Sequence, residues 1–371
     1  MLIAETRGAL VTALPEANGQ LLLPERDLPP GAGREALASL GVGSETAARR
    51  YAPGLLALDA TRLRIEVEDR WTDRPDGAGT VNLFPRWGDL ADLLRLMDVQ
   101  AAGPGLYESP IYEDRRRNVV EGSQLLGQAI VAASKEAPDQ RAVSAHMIFS
   151  RPARFDLPTL FKVALPRRGR SFSTVSVEAS QEGKSVASAL VLMDTGALDK
   201  IRGQVAMPPV AGPGASPFHD FGMTGRDVRF VNGDYARPPD YIGPPGLYAW
   251  VRHRTSPIET HLRQGLLVQF AGHMTIAAAL LPHPGLGESQ AHFSLSTGVL
   301  AITVALHEEP NLLDWLLYAN PAIYAGRGLV QGEGRVFGED GRLAASYTVQ
   351  AMVREFVEPP ERIGLDQSRL M

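Results

Sequence analysis

The sequence predicts an α+β chain in which one unit, a buried helix followed by antiparallel strands, occurs twice behind a distinct N-terminal segment. Two observations carry this. Helical periodicity gives way to strand alternation in the same order on both sides of a proline- and glycine-rich stretch, Met207 to Pro217. Turn residues also recur at one offset: Arg151-Pro152 stands 158 positions before Glu309-Pro310, Gly183 before Gly341, and Ala187-Ser188 before Ala345-Ser346. Gly169-Arg170 and Gly326-Arg327 slip from that spacing by one residue.

The elements follow in order. In residues 1–85, Asn18-Gly19 between apolar runs signals a hairpin, Arg34 to Tyr51 reads as helix, and Arg62 to Glu68 alternates as a half-buried strand. No chemistry is visible there, and the segment is expected to be an extension. Leu90 to Met97 is amphipathic, with apolar residues spaced at three and four. Gly122 to Ser134 is apolar almost all round and rich in small residues, the pattern of a helix enclosed by its surroundings. Strands are expected at Val143–Ser150, Phe161–Leu165, Ser171–Ser180 and Ser185–Met193, the last two joined by a turn at Glu182-Gly183-Lys184. After the linker come a strand at Leu247–Val251 and one long helix from Ile258 to about Leu281. Strands are then expected at Gly298–His307, Ala325–Phe337 and Leu343–Met352. The expected domains are therefore 1–85, a first repeat at 86–206 and a second at 218–371.

Composition excludes several classes. With 371 residues, 44% apolar and 21% charged, the chain has ample material for a core. It contains no cysteine, so disulfides, thiolate metal sites and cysteine nucleophiles are out. A net charge of −5 makes no electrostatic case for nucleic acid. Only four of the 37 basic residues are lysine, as a GC-rich bacterial genome would produce. The N-terminus lacks the basic-then-apolar layout of a signal peptide, and Met274–Leu281 falls short of the roughly 20 residues of a membrane span. A soluble cytoplasmic protein is expected. Gly183-Lys184-Ser185 lacks the earlier glycine of a phosphate-binding loop, since position 178 is glutamate. There is no Gly-x-Ser-x-Gly elbow, and the histidines are too scattered for a zinc helix. No metal or cofactor is called for.

The motifs resemble one family. Gly122-Ser-Gln-Leu-Leu-Gly-Gln-Ala-Ile-Val-Ala-Ala is similar to the Gly-Gly-Gln central helix of acyl-CoA thioesterase II proteins. His146-Met-Ile-Phe-Ser-Arg-Pro and Gly169-Arg-Ser-Phe-Ser-Thr resemble that family's next two motifs. Asp314-Trp-Leu-Leu-Tyr, Gly326-Arg-Gly-Leu-Val and Asp340-Gly-Arg-Leu-Ala-Ala-Ser with Thr348-Val-Gln350 follow in the family's order. The resemblance spans residues 88 to 356 and implies a double hotdog, two helix-wrapped antiparallel sheets in one chain.

It also implies hydrolysis of acyl-CoA by an activated water held by an acid, a hydroxyl and a glutamine in the second repeat. Gln350 matches the glutamine; an amide orients a water by both donating and accepting. The acid's place, in Phe270-Ala-Gly-His273, is taken by His273. Imidazole is a competent general base near neutrality but lacks the two acceptor oxygens of a carboxylate. Counting forward from His273 gives Thr297 for the hydroxyl, with Ser296 beside it; counting back from Trp315 gives Val299, and a two-residue insertion would reconcile the two. Gly272 would allow backbone or substrate to come close, and Ala277 to Ala279 would line the acyl chain or pack the helix on the sheet. Arg115-Arg-Arg117 and Arg167-Arg-Gly-Arg170 are the densest basic runs available to CoA phosphates, and equally ordinary solvated charge. Three readings stay open: an acyl-CoA thioesterase, a hotdog hydratase or dehydratase, and a non-catalytic acyl-CoA binder. A homo-oligomer is compatible with each.

Overall fold

The computed structural model describes strand segments 2–6, 9–15, 21–22 and 66–67, and then residues 90–111, 119–219, 225–236, 241–287, 290–291 and 294–356. The chain forms two compact units: one holds the N-terminal strands, and the other begins at Leu93.

In the first unit, β1 (Leu2–Thr6), β2 (Ala9–Pro15), β3 (Leu21–Leu22) and β4 (Glu66–Val67) make an antiparallel sheet in the order β3-β2-β1-β4. The β2–β3 pairing, Leu14 opposite Leu22, is the one a turn at Asn18-Gly19 would produce. That turn and the expected helix 34–51 lie outside the described residues.

The second unit carries the duplication. After α1 (Leu90–Met97) its first half comprises β5 (Gln100–Gly103), β6 (Leu106–Glu108), α2 (Gly122–Glu136), β7 (Arg141–Phe149), β8 (Leu160–Arg167), β9 (Phe172–Gln181) and β10 (Lys184–Asp194). The second half comprises β11 (Arg226–Phe230), β12 (Gly246–His253), α3 (Thr260–Gln269), α4 (Thr275–Leu280), β13 (Leu295–Leu306), β14 (Leu316–Gly326), β15 (Leu329–Gly338) and β16 (Leu343–Glu355). Twelve strands form one sheet in the order β11-β12-β14-β15-β16-β13-β7-β10-β9-β8-β6-β5. Read inward from either edge, the two halves have the same order. They meet where β13 and β7 pair antiparallel, Thr303 opposite His146. This is the double hotdog.

The central helices explain how two halves share one core. Every residue of α2 from Ser123 to Ser134 is buried. A Cβ on Gly127 would sit 2.8 Å from the carbonyl oxygen of Gly265 in α3 and would collide with the Met97 side chain. Reciprocally, a Cβ on Gly265 would meet Val131 at 3.0 Å. The absent side chains let the helix backbones touch, and the ends follow: Ser123 Oγ donates to the Gln269 carbonyl at 2.8 Å. Buried amides are tied to backbone, Gln128 Nε2 to Leu96 O at 2.7 Å and Gln264 Nε2 to Ala142 O at 2.8 Å.

Most strands match expectation, and the hairpin turn lies at Glu182 and Gly183, both with positive φ. Gly341, its counterpart in the repeat, also has positive φ. Three expectations need correction. The long helix 258–281 is two helices, because Gly272, at φ +90, reverses the backbone between them. Its apolar period runs through the break because both sides are buried. The expected strand 325–337 is the hairpin β14–β15, turning at Arg327 and Gly328. The linker is packed: Met207 and Val210 cover a cluster around Trp250, whose Nε1 donates to Ala211 O at 2.8 Å.

The glycine crossing predicts an asymmetry. Gly127→Ala forces a methyl against backbone and should cost about 1–3 kcal/mol in urea denaturation, as overpacking does. Gly265→Ala meets chiefly a side-chain methyl that has room to turn, and should cost less. Equal costs, or a reversed order, would contradict this packing.

Candidate functional site

The break between α3 and α4, residues 270–274, is where the second central helix opens its backbone and gathers polar side chains. Phe270 ends α3, and Gly272 turns the chain. A Cβ there would lie 2.8 Å from Val349 Cγ2 and 3.6 Å from Ile302 Cδ1, so the glycine is required by the strands beneath it. The Gly272 N–H is engaged by the Tyr347 hydroxyl oxygen.

His273 follows directly. Its ring stacks on Phe270, with centroids 5.1 Å apart and planes 22° off parallel. Nδ1 lies 3.2 Å from each carboxylate oxygen of Glu121, the residue that opens α2 in the other half. The His273 side chain is 8% exposed and that of Glu121 18%. The acid and the imidazole thus meet across the pseudo-symmetric interface, at the ends of the two helices that cross at Gly127 and Gly265.

Behind Phe270 lies Arg226, on β11. Its guanidinium lies over the Phe270 ring, 4.6 Å from the centroid, and Nη1 donates to Gln269 Oε1. Burial lowers its pKa to about 10, against which the Glu121 carboxylate acts to keep it charged. Nε and Nη2 make no hydrogen bond. Opposite Arg226 on β12 is His253, also buried, with neither ring nitrogen hydrogen-bonded. Desolvation, helped by the Arg226 charge, pushes it down to about 3.

A second polar group sits just past His273. Thr275 Oγ1 donates to Asn320 Oδ1 at 3.2 Å, and the Tyr347 hydroxyl donates to the same oxygen at 3.1 Å. Tyr318 donates to Leu267 O at 2.7 Å. Burial raises both tyrosine pKa values, so both remain phenols. Gly332 makes room for this group; a Cβ there would lie 2.8 Å from Thr275 and 3.3 Å from Asn320 Nδ2.

Of the three residues singled out in the sequence, the structure brings only His273 to this place. Gln350 is exposed on β16, where the inward residues are Tyr347, Val349 and Ala351. Because Val349 faces Gly272, strand alternation turns Gln350 to the opposite face of the sheet. Thr297 is buried near the start of β13, opposite Val353. It stands five residues, roughly 16 Å of strand, from the Ile302 that reaches Gly272. Neighbouring Ser296 faces Arg354 at the same strand end. Gly272 approaches a strand valine and a tyrosine hydroxyl instead of opening space for substrate. Ala279 packs on Val330 and Ala351, the ordinary packing role. Arg168 pairs with Asp139 at 3.0 Å, and Arg115 to Arg117 lie outside the described residues. Sequence reading missed Glu121, Arg226, Thr275, Asn320 and Tyr347. An acid opening a helix is commonplace and gave Glu121 no distinction; Tyr347 stood in the closing motif, unremarked.

Comparison with known proteins agrees with the fold. The family model of the acyl-CoA thioesterase N-terminal domain matches residues 114–193. Acyl-CoA thioesterase 2 of Haemophilus influenzae is 26% identical over 257 residues, covering 63% of this chain and 87% of its own length. Human acyl-coenzyme A thioesterase 8 is 27% identical over 310 residues, covering 75% and 94%. The crystal structure of acyl-CoA thioesterase II TesB2 from Mycobacterium marinum superposes with a TM-score of 0.60 at 25% identity, covering 71% of this chain and 98% of that one. In sequence and in fold the chain is similar to acyl-CoA thioesterases. Within this thioesterase fold, the break at residues 270–274 is the place where the family pattern leads one to look for an acid, and an imidazole is there.

The buried His253 predicts acid sensitivity. Its folded pKa, about 3, lies below the roughly 6.5 of an unfolded histidine. Its contribution is therefore complete above about pH 6.5 and lost progressively as pH falls toward 3. The urea midpoint should drop over that window, and His253→Leu should drop less. Parallel falls in both proteins would exclude His253 as a source.

Proposed function

We propose that the chain hydrolyses acyl-CoA thioesters to the free acid and CoA by direct attack of water, with His273 as the general base. The observation that carries the proposal is the imidazole at the helix break, in contact with a carboxylate, in a chain whose relatives are named acyl-CoA thioesterases. Water oxygen forms the new bond to the thioester carbonyl carbon while one of its protons passes to the imidazole, and the carbonyl π pair moves to oxygen. Collapse restores the carbonyl and breaks the C–S bond. The imidazolium returns the proton to the departing thiolate, so that acid and thiol leave with no covalent enzyme intermediate. Placing water and base together replaces an encounter by an oriented pair.

The same reading has residues 86–206 and 218–371 as the two repeats, the latter holding the site, with 1–85 as an extension. It makes the protein a cytoplasmic bacterial enzyme of fatty acyl-CoA metabolism. No helix among the described residues is long and apolar enough to cross a membrane.

A panel of acyl-CoAs of increasing chain length, with released CoA trapped by a thiol reagent, tests the activity. His273→Ala should lose about 10²-fold or more in kcat, the size of a general-base contribution, and His273→Asp should recover part of it. Thr297→Ala and Gln350→Ala should stay within a few-fold of wild type. Wild-type turnover in His273→Ala, or collapse in Gln350→Ala alone, would overturn this assignment.

A further inference from the structure

We propose that Glu121, from the first half of the chain, is the positioning residue for His273, so that the carboxylate absent from position 273 is supplied across the repeat interface. This inference rests on the thioesterase reading above and deepens it.

Glu121 stands at the N-cap of α2, yet its side chain makes no capping hydrogen bond to its own helix. A side chain at that position ordinarily satisfies a free N–H of the first turn. Here both carboxylate oxygens lie 3.2 Å from His273 Nδ1. An ionised carboxylate only accepts, so the contact places a proton on Nδ1 and leaves Nε2 as the basic nitrogen. Two features favour the ionised acid. It lies at the positive end of a 15-residue helix. The buried Arg226 guanidinium, two of whose nitrogens are not hydrogen-bonded, also interacts with its charge. Arg226 and His273 lie over Phe270, which orients both. The imidazolium formed when His273 accepts a proton is then stabilised by an adjacent carboxylate that takes no proton itself.

The test uses the full chain with Glu121→Gln and Glu121→Ala, and has two readouts. In ¹⁵N NMR of histidine-labelled protein, the His273 resonances, assigned by their loss in His273→Ala, should report the Nδ1–H tautomer in wild type. In Glu121→Gln, where an amide oxygen still accepts, that tautomer should persist; in Glu121→Ala it should give way to a mixture. In steady-state hydrolysis, kcat should fall about 10-fold in the glutamine variant and about 10²-fold in the alanine variant, with KM changing less than three-fold. A loss confined to KM, an unaltered kcat, or a tautomer indifferent to Glu121→Ala would overturn the proposal. Should wild type release no CoA, the thioesterase reading fails separately, and the tautomer measurement still decides whether Glu121 sets the imidazole. Urea denaturation of each variant identifies any loss that comes from unfolding, and wild-type kcat in a folded Glu121→Ala protein counts against the role.

Discussion

The close backbone approach of the two central helices, Gly127 against Gly265, is the constraint on which the site depends. Because neither helix carries a side chain at the crossing, α2 and α3 touch backbone to backbone. Antiparallel helices in contact at their middles also bring opposite ends together. Ser123 reaches the Gln269 carbonyl, and one step further out Glu121 reaches His273. The geometry of the acid–imidazole contact is therefore inherited from packing about a turn and a half of helix away. A small change at the crossing would be felt at the helix ends, since close-packed interiors transmit displacement.

The break after α3 is built from the same economy of side chains. Gly272 is pressed onto Val349, Gly332 admits Thr275 and Asn320, and Tyr347 bridges the Gly272 N–H and the Asn320 amide oxygen. A helix interrupted in a core exposes polar backbone that must be satisfied. The Tyr347 hydroxyl at Gly272 and the Tyr318 hydroxyl at the Leu267 carbonyl do this from the sheet, with Asn320 holding Tyr347 and Thr275 in place. Arg226 completes the surroundings as a cation held without a direct carboxylate partner among the described residues, balanced at longer range by Glu121.

Much of this could be read from residue order, and what could not has identifiable causes. Strand alternation located most of the sheet, and the recurring turns exposed the duplication. The break at Gly272 escaped because its flanks are apolar on every side, which leaves helical periodicity blind to a reversal. Gln350 was placed by likeness to a motif, although its neighbours carried contrary information: Ala345, Tyr347, Val349 and Ala351 form the inward row, so position 350 points outward. The Glu121 contact spans 152 residues, and local pattern holds nothing about such a pair. Only the crossing of two helices, set by two glycines, makes them neighbours.

The duplication of the fold does not extend to the side chains at the helix ends. Glu259 opens α3 as Glu121 opens α2. At the spacing that relates Gly265 to Gly127, the counterpart of His273 is Lys135. That lysine is already occupied, donating to Asp98 and to the Val99 carbonyl at 2.6 Å. An ammonium locked in an ion pair beside α1 has no lone pair to offer. The helix end that carries an imidazole in one half carries a tethered cation in the other, so the proposed chemistry would have one place per polypeptide.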